Sequence, residues 1–240
     1  MPLKVEVEAD PGVLASRAAE IVVAQARSSI AHRGAFTVAL SGGSTPAVML
    51  DHLALRDLLW SRIHVFQVDE RIVPDDDPDR NAGGLLEHLV DRIEIPPANV
   101  HLMPVTAPNL ANASHHYAAE LAALSGSDGR LDLVHLGLGD DGHTASWPPG
   151  DPVADAGDMD VAVVGPYRGH LRMTLTPRVV NRARRILWLV SGEEKAGAVE
   201  GLIAGDFRLP ASRVATGNAT LLLDEVAASK LGPLVRHRKG

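Results

Sequence analysis

Residues 36–46 have the sequence FTVALSGGSTP, in which a short, mostly apolar run leads into two glycines and then a proline. Glycine permits the tight turn that joins a buried strand to a helix, and proline is favoured at the first helical position. This order of strand, glycine turn and helix is typical of a β-α unit in a parallel sheet. The stretch therefore predicts an α/β fold, with Pro46 as the first residue of the helix.

The same alternation continues along the rest of the chain. Short runs rich in Val, Leu and Ile predict buried strands, and Ala- and Leu-rich stretches with helical spacing predict the helices between them. The predicted strands are 4–8, 36–40, 63–68, 100–104, 131–137, 161–165, 172–176, 186–190 and 219–223. The predicted helices are 11–31, 46–55, 80–93, 110–124, 193–204 and 227–234. With no repeat or flexible linker, we expect one domain over residues 1–240 and a mainly parallel sheet flanked by helices.

The composition excludes several classes of function. Of the 240 residues, 3% are aromatic and none is cysteine, and the formal net charge is -7. Few aromatic rings and an acidic balance argue against nucleic acid as the main partner, and the lack of cysteine excludes thiolate catalysis. No apolar run is long enough to cross a membrane, and the first residues lack the apolar core of a secretory signal. We expect a cytoplasmic monomer with neither nucleic-acid nor membrane partners.

The loop SGGSTP at residues 41–46 is the first candidate site, because ligands of open α/β sheets bind beyond the carboxyl ends of the strands. Glycines allow close approach of the backbone, hydroxyls donate hydrogen bonds, and a helix amino terminus attracts an anion. The loop is a candidate phosphate cradle. It lacks the Gly-Lys-Ser/Thr of a nucleotide-binding P-loop, and the competing interpretation is an ordinary turn with Thr45 as the helix N-cap.

The sequence Asp69-Glu70-Arg71 follows the predicted strand 63–68. Two carboxylates and a guanidinium at this end of a strand can combine proton transfer with the binding of an oxyanion or a phosphate. A surface ion pair is the competing interpretation. The aspartates that follow, at 75–77 and 79, lack the ligand spacing and the central glycine of a calcium loop.

The stretch 136–146, LGLGDDGHTAS, is the most informative of the loops. Its glycines match the G-x-G-x-x-G pattern of a dinucleotide site, but two aspartates would lie where a pyrophosphate has to bind, and Pro148 and Pro149 stop the helix that should follow. His143 can both accept and donate a proton near neutral pH, and Asp141 can orient it. Since no helical metal-ligand pairing accompanies them, we predict an acid/base site and no metal.

Positive charge comes from the last third of the chain. In an extended strand, Arg172, Thr174 and Thr176 share one face, and Lys195 follows the predicted strand 186–190. Arg172 and Lys195 can then reach one anion.

Four motifs together carry a resemblance to a known family. SGGSTP, VDERIVP with DRNAGGLL behind it, LGLGDDGHTAS and VSGEEKA occur in the order and approximate spacing of the glucosamine-6-phosphate isomerase and 6-phosphogluconolactonase superfamily. The resemblance extends over nearly the whole chain and implies a modified Rossmann-like α/β fold. It also implies a small-molecule sugar phosphate as the partner.

Within that superfamily the chain is most similar to the lactonase branch. The isomerase/deaminase branch carries an extra glutamate after its DGH motif, where Trp147-Pro148-Pro149 stands here. An aldose–ketose isomerisation needs that acid/base group, whereas lactone hydrolysis needs an activated water and oxyanion stabilisation. The resemblance therefore implies hydrolysis of 6-phospho-D-glucono-1,5-lactone without a cofactor. The alternatives are a glucosamine-6-phosphate deaminase and a non-catalytic sugar-phosphate sensor.

The resemblance also implies roles for individual residues. His143 is implied to be the base that activates water, with Asp141 beside it. Arg71 matches the guanidinium of the DER motif. We hypothesise that Arg71 or backbone N–H groups stabilise the oxyanion and that Asp69 organises either Arg71 or the water. The residues implied to bind the sugar phosphate are Gly42, Gly43, Ser44, Thr45, Arg172 and Lys195.

Overall fold

A computed structural model describes residues 3–126 and 129–232 of the chain. The strands are β1 (Lys4–Glu8), β2 (Phe36–Leu40), β3 (Ile63–Gln67), β4 (Asp69–Arg71), β5 (Val100–His101), β6 (Leu133–Leu136), β7 (Val161–Tyr167), β8 (His170–Leu175), β9 (Ile186–Val190) and β10 (Ala219–Asp224). The α-helices are α1 (Pro11–Arg33), α2 (Ser44–Ala54), α3 (Asn81–His88), α4 (Leu110–Leu124), α5 (Pro177–Arg182) and α6 (Ala196–Ala204). Short 3-10 helices occupy Trp60–Arg62, Val90–Arg92, Pro97–Asn99, Pro152–Asp155, Glu193–Lys195 and Pro210–Arg213.

A large parallel sheet forms the centre of the molecule. Its strand order is β1-β10-β9-β6-β2-β3-β5, and every neighbouring pair is parallel. Val38 and Leu40 pack into a core with α1 and α2, whereas Ala39 belongs to the core on the opposite face. Because helices cover both faces, the central strands have no solvent-facing side, and their sequences are mostly apolar. The predicted mainly parallel α/β sheet is confirmed.

A second, smaller sheet was not predicted from the sequence. It is antiparallel, has the order β4-β8-β7, and pairs Asp69 with Thr174 and Arg71 with Arg172. Val68 joins the two sheets, since its N–H donates to Leu40 at 3.0 Å and its carbonyl accepts from the N–H of Leu175 at 2.8 Å. The predicted strand 63–68 therefore ends one residue early, and the chain passes directly into β4.

Several helix boundaries also differ from the predictions. Helix α2 begins at Ser44, so Thr45 lies inside it and is not its N-cap; Gly43 is the N-cap, with φ of +120°. The predicted helix 80–93 is a short α3 followed by a 3-10 turn, and α5 was not predicted. The predicted helix 227–234 is a series of turns in its described part, and residues 233 and 234 lie outside the described residues.

None of the helices within residues 3–126 and 129–232 combines the length and the apolar character needed to cross a membrane.

Candidate active site

Loops from both sheets line one cleft at the carboxyl ends of β2, β6 and β9. The cleft contains a cavity of about 270 Å³. Its walls come from the glycine loop after β2, from β4 and β8, and from the loops after β6, β7 and β9. The sequence-predicted site residues that line it are Gly42, Gly43, Ser44, Thr45, Asp69, Arg71, His143, Arg172 and Lys195, and Asp141 lies in contact with His143.

His143 and Asp141 form a hydrogen-bonded pair at the edge of this cavity. Nδ1 of His143 lies 2.6 Å from Oδ1 of Asp141, and the backbone N–H of His143 donates to the same oxygen at 3.1 Å. A carboxylate at this distance holds the ring proton on Nδ1. Nε2, which has no hydrogen bond within the described residues, is then the nitrogen that can accept a proton. The pair has the geometry of a general base with its orienting carboxylate.

Tyr167 is a member of this cluster that sequence reasoning missed. Its hydroxyl donates to Oδ2 of Asp141 at 2.5 Å, and it also lies 3.0 Å from Nδ1 of His143. Burial raises the pKa of Asp141, but hydrogen bonds from Tyr167 and His143 outweigh burial and lower that pKa to about 2. Asp141 is therefore ionised at neutral pH. Tyr167 precedes the hairpin turn between β7 and β8 and lies outside the four motifs that indicated the site, so they gave no signal for it.

The glycine loop after β2 forms the opposite wall of the cleft. Gly43 has a φ of +120°, a conformation that favours glycine, and a Cβ at Gly42 would lie 2.4 Å from Oδ1 of Asn81. Ser41 anchors the loop, because its hydroxyl donates to the carbonyl of His135 at 2.9 Å. The loop leads into α2, whose first N–H groups carry the partial positive charge of a helix amino terminus. This wall can accept an anionic oxygen from the substrate.

Arg172 and Asp69 lie side by side because β8 pairs with β4. Nη1 of Arg172 is 4.0 Å from Oδ2 of Asp69, and both side chains are at least nine-tenths buried. The same carboxylate oxygen accepts a hydrogen bond from the hydroxyl of Ser146 at 2.6 Å. The structure thus places Asp69 beside Arg172, and the two expected roles of Asp69 stay predictions.

Glu70 and Arg71 differ in their availability. Glu70 is fully buried, and its two oxygens accept the backbone N–H groups of Arg71, Asn81 and Ala82. It fixes the start of α3 and has no oxygen directed at the cavity, so the expectation of two carboxylates for proton transfer is wrong for Glu70. Arg71 lines the cavity, and Nη1 of its guanidinium donates to the carbonyl of Asp79 at 2.5 Å.

Lys195 is held at the cleft by the loop after β9. Asp224, at the end of β10, is buried and accepts hydrogen bonds from the hydroxyl of Ser191 and the N–H of Gly192. The 3-10 helix that follows places Lys195 at the cavity, with its nearest described carboxylate partner, Glu194, at 3.9 Å. Its ammonium can therefore meet an anion without giving up a short ion pair.

A second cavity adjoins the cleft. A cavity of about 350 Å³ between α2 and α3 shares Gly42, Gly43, Ser44 and Arg71 with the cleft but does not reach His143. Within residues 3–126 and 129–232, no three His, Asp or Glu side chains are arranged to hold a metal ion.

Comparison with known proteins agrees with this architecture. The sequence model for glucosamine-6-phosphate isomerases/6-phosphogluconolactonase matches residues 9–223, which is most of the chain. The chain belongs to this family. A relative named 6-phosphogluconolactonase from Synechocystis sp. is 38% identical over 241 residues, which covers 97% of this chain and 100% of the relative.

Solved structures of the family have the same fold. The structure of 6-phosphogluconolactonase from Thermotoga maritima superposes with a TM-score of 0.82 at 29% identity, covering 92% of this chain and 98% of that one. A monomeric glucosamine-6-phosphate deaminase also superposes with a TM-score of 0.82, at 23% identity, covering 95% of this chain and 99% of that one. The family fold therefore does not by itself separate the two chemistries.

Proposed function

We propose that this chain hydrolyses 6-phospho-D-glucono-1,5-lactone to 6-phospho-D-gluconate, the second step of the oxidative pentose phosphate pathway. The observation that carries the proposal is the His143–Asp141 pair, which faces a cleft whose other end holds two cations and a helix amino terminus. Relatives aligned over their full length and named 6-phosphogluconolactonase support it. The substrate is a neutral lactone ring with an anionic phosphate. It matches a cleft that offers a general base for the ring and positive charge for the phosphate.

The phosphate of the substrate binds at the cationic end. Backbone N–H groups of the loop from Gly42 to Thr45, together with Arg172 and Lys195, donate to its oxygens. Guanidinium, ammonium and helix amino-terminal groups are the usual phosphate partners in proteins. The lactone carbonyl then points towards His143 and Arg71.

Hydrolysis proceeds by attack of water on that carbonyl. Nε2 of His143 removes a proton as the water oxygen bonds to C1, and Asp141 stabilises the charged imidazole through Nδ1. Arg71 or backbone N–H groups stabilise the oxyanion of the tetrahedral intermediate. When the bond between C1 and the ring oxygen breaks, His143 returns the proton to that oxygen. None of these steps requires a cofactor.

The chain lacks the extra acid/base group of the deaminase chemistry. At the corresponding position Trp147 is fully buried, and its indole N–H donates to the carbonyl of Leu175 at 2.8 Å. Two prolines follow, and neither has a side chain that can transfer a proton. This local difference favours the lactonase over the amino-sugar isomerase, which the fold does not do.

We further propose that residues 1–240 form a single domain, since Val68 hydrogen-bonds to both sheets. A monomer and a cytoplasmic location stay predictions.

The assignment is tested by offering two substrates to the same preparation. We expect acid release from freshly generated lactone above the spontaneous rate, and no ammonia from glucosamine 6-phosphate. Ammonia release without lactone hydrolysis would replace the assignment with the deaminase. Binding of both compounds without turnover of either would point to a sensor.

Substitution of Gly139 tests the placement of His143. A Cβ at position 139 would lie 1.9 Å from Nδ1 of His143 and 2.7 Å from Oδ1 of Asp141, so Gly139→Ala has to displace the pair. We expect kcat for the lactone to fall about 100-fold, because small misplacements of a catalytic group have effects of that size. The matched control is Gly137→Ala in the same loop, where a Cβ meets no atom within 4 Å and most activity should remain. Equal activities of the two variants would contradict this placement.

A further inference from the structure

Tyr167 lies between the His143–Asp141 pair and Arg172. Its hydroxyl contacts both Asp141 and His143, and its ring meets the ring of His143 edge-on, with centroids 5.3 Å apart. The carboxylate of Asp141 is thereby divided between two donors: Oδ1 serves His143 and Oδ2 serves Tyr167. A carboxylate held at both oxygens cannot rotate freely, so the imidazole that it orients is held as well.

The same ring also supports the cationic end of the cleft. The guanidinium of Arg172 lies 5.3 Å from the centre of the Tyr167 ring, and its Nε donates to the carbonyl of Tyr167 at 3.3 Å. The guanidinium of Arg168 lies 5.4 Å from the ring centre. Contacts of this kind between a guanidinium and an aromatic face are attractive. Tyr167 therefore contacts both the His143–Asp141 pair and Arg172, which we assign to phosphate binding.

We propose that Tyr167 is a positioning residue for the lactonase reaction: its hydroxyl fixes Asp141 so that His143 presents Nε2 to the attacking water, and its ring fixes Arg172. This inference rests on the proposed function. The two actions belong to different parts of one side chain, so they can be separated by substitution.

The hydroxyl remains a donor throughout the neutral range. Burial and the negative charge of Asp141 raise the pKa of Tyr167 to about 12, so its proton is present at the pH of any ordinary assay. The charged or titratable groups around it are Asp141, His143, Arg168 and Arg172, and Asp140 pairs with Arg168 at 2.7 Å. Among these types of side chain, imidazole is the one that can exchange a proton near neutral pH.

Loss of the hydroxyl has a predictable sign. Without the donor from Tyr167, the negative charge of Asp141 is less dispersed and stabilises the protonated imidazole of His143 more strongly. A larger fraction of His143 is then protonated at a given pH, and the free base is scarcer. The acidic limb of the pH profile of kcat/KM therefore moves to higher pH.

The test compares Tyr167→Phe with Tyr167→Leu. The Phe variant keeps the ring and loses the hydroxyl, so we expect kcat to fall about tenfold with little change in KM, and the acidic limb to rise by about half a pH unit. The Leu variant also loses the ring, so its KM should rise as well. In an Asp141→Asn background, Tyr167→Phe should produce no further shift of the limb.

The matched control is Tyr117→Phe at the only other tyrosine of the chain. Tyr117 is buried and forms hydrogen bonds with the backbone of Gln67 and His101, and it has no described contact with His143 or Asp141. This variant should lose thermal stability and keep the pH profile of the wild type. A Tyr167→Phe variant that also keeps that profile and its kcat would overturn the proposal.

A second readout separates this inference from the proposed function. The titration of His143 in the free protein, followed by NMR of its ring, should move to higher pH in Tyr167→Phe. If the wild type does not hydrolyse the lactone, the proposed function fails. The titration still decides whether Tyr167 acts on the His143–Asp141 pair. An unchanged His143 titration in Tyr167→Phe contradicts the inference, whatever the activity.

Discussion

Replacing His143 by alanine is expected to lower kcat for 6-phospho-D-glucono-1,5-lactone by about 10²- to 10⁴-fold, the usual contribution of a positioned general base. In the wild type, Oδ1 of Asp141 lies 2.6 Å from Nδ1 of His143 and keeps the ring proton on that nitrogen. Nε2 is then free to deprotonate water. Alanine removes that base, while the glycine loop, Arg172 and Lys195 remain. The measurement is kcat from initial rates on fresh lactone, together with the affinity for 6-phosphogluconate by calorimetry.

The two readouts separate loss of the base from loss of the site. We expect the affinity for 6-phosphogluconate to stay close to that of the wild type, since His143 does not contact the phosphate in this account. His116→Ala is a matched control, because His116 lies exposed on α4, and it should leave kcat unchanged. Near-normal turnover by His143→Ala would remove His143 from the mechanism.

Replacing Arg172 by methionine is expected to lower kcat/KM for the phosphorylated lactone by roughly 10- to 100-fold, the range for loss of hydrogen bonds between charged groups. Arg172 is buried beside Asp69 and stacked on Tyr167, so its guanidinium is held in place before the substrate arrives. Most of the loss should appear in KM, because the phosphate is bound in the ground state as well as in the transition state.

A lactone without a phosphate provides the control for this variant. Hydrolysis of D-glucono-1,5-lactone should fall much less in Arg172→Met than hydrolysis of the phosphorylated lactone. Lys195 makes no described contact with His143 or Asp141. The loss of activity in Lys195→Met should therefore be confined to the phosphorylated substrate. If both variants lose equal activity on the two lactones, these cations do not bind the phosphate.

The large sheet could be predicted because its strands are buried on both faces. Strands β2 and β9 have the predicted bounds, since every residue of both strands is buried and a strand covered by helices on both sides has a mostly apolar sequence. The small sheet could not be predicted in the same way. Strand β4 is only Asp69–Arg71, a charged tripeptide whose pairing depends on β8, which lies about a hundred residues further along the chain.

The candidate site likewise has a part that local sequence indicates and a part that depends on long-range contacts. His143 and Asp141 lie two residues apart, and the residues of the glycine loop are consecutive, so local sequence could indicate them. The contact between Tyr167 and Asp141 spans 26 residues and depends on the β7–β8 hairpin folding back over the DGH loop. The pairing of Asp69 with Arg172 depends likewise on the β4–β8 register. Neither contact has a local pattern.

We propose that this cleft hydrolyses a phosphorylated lactone with water. The most direct measurement is the initial rate of acid release from freshly generated 6-phospho-D-glucono-1,5-lactone, with the spontaneous rate measured in parallel and subtracted. We expect a net rate that is proportional to protein concentration and saturates with substrate. A net rate of zero at every protein and substrate concentration would contradict it.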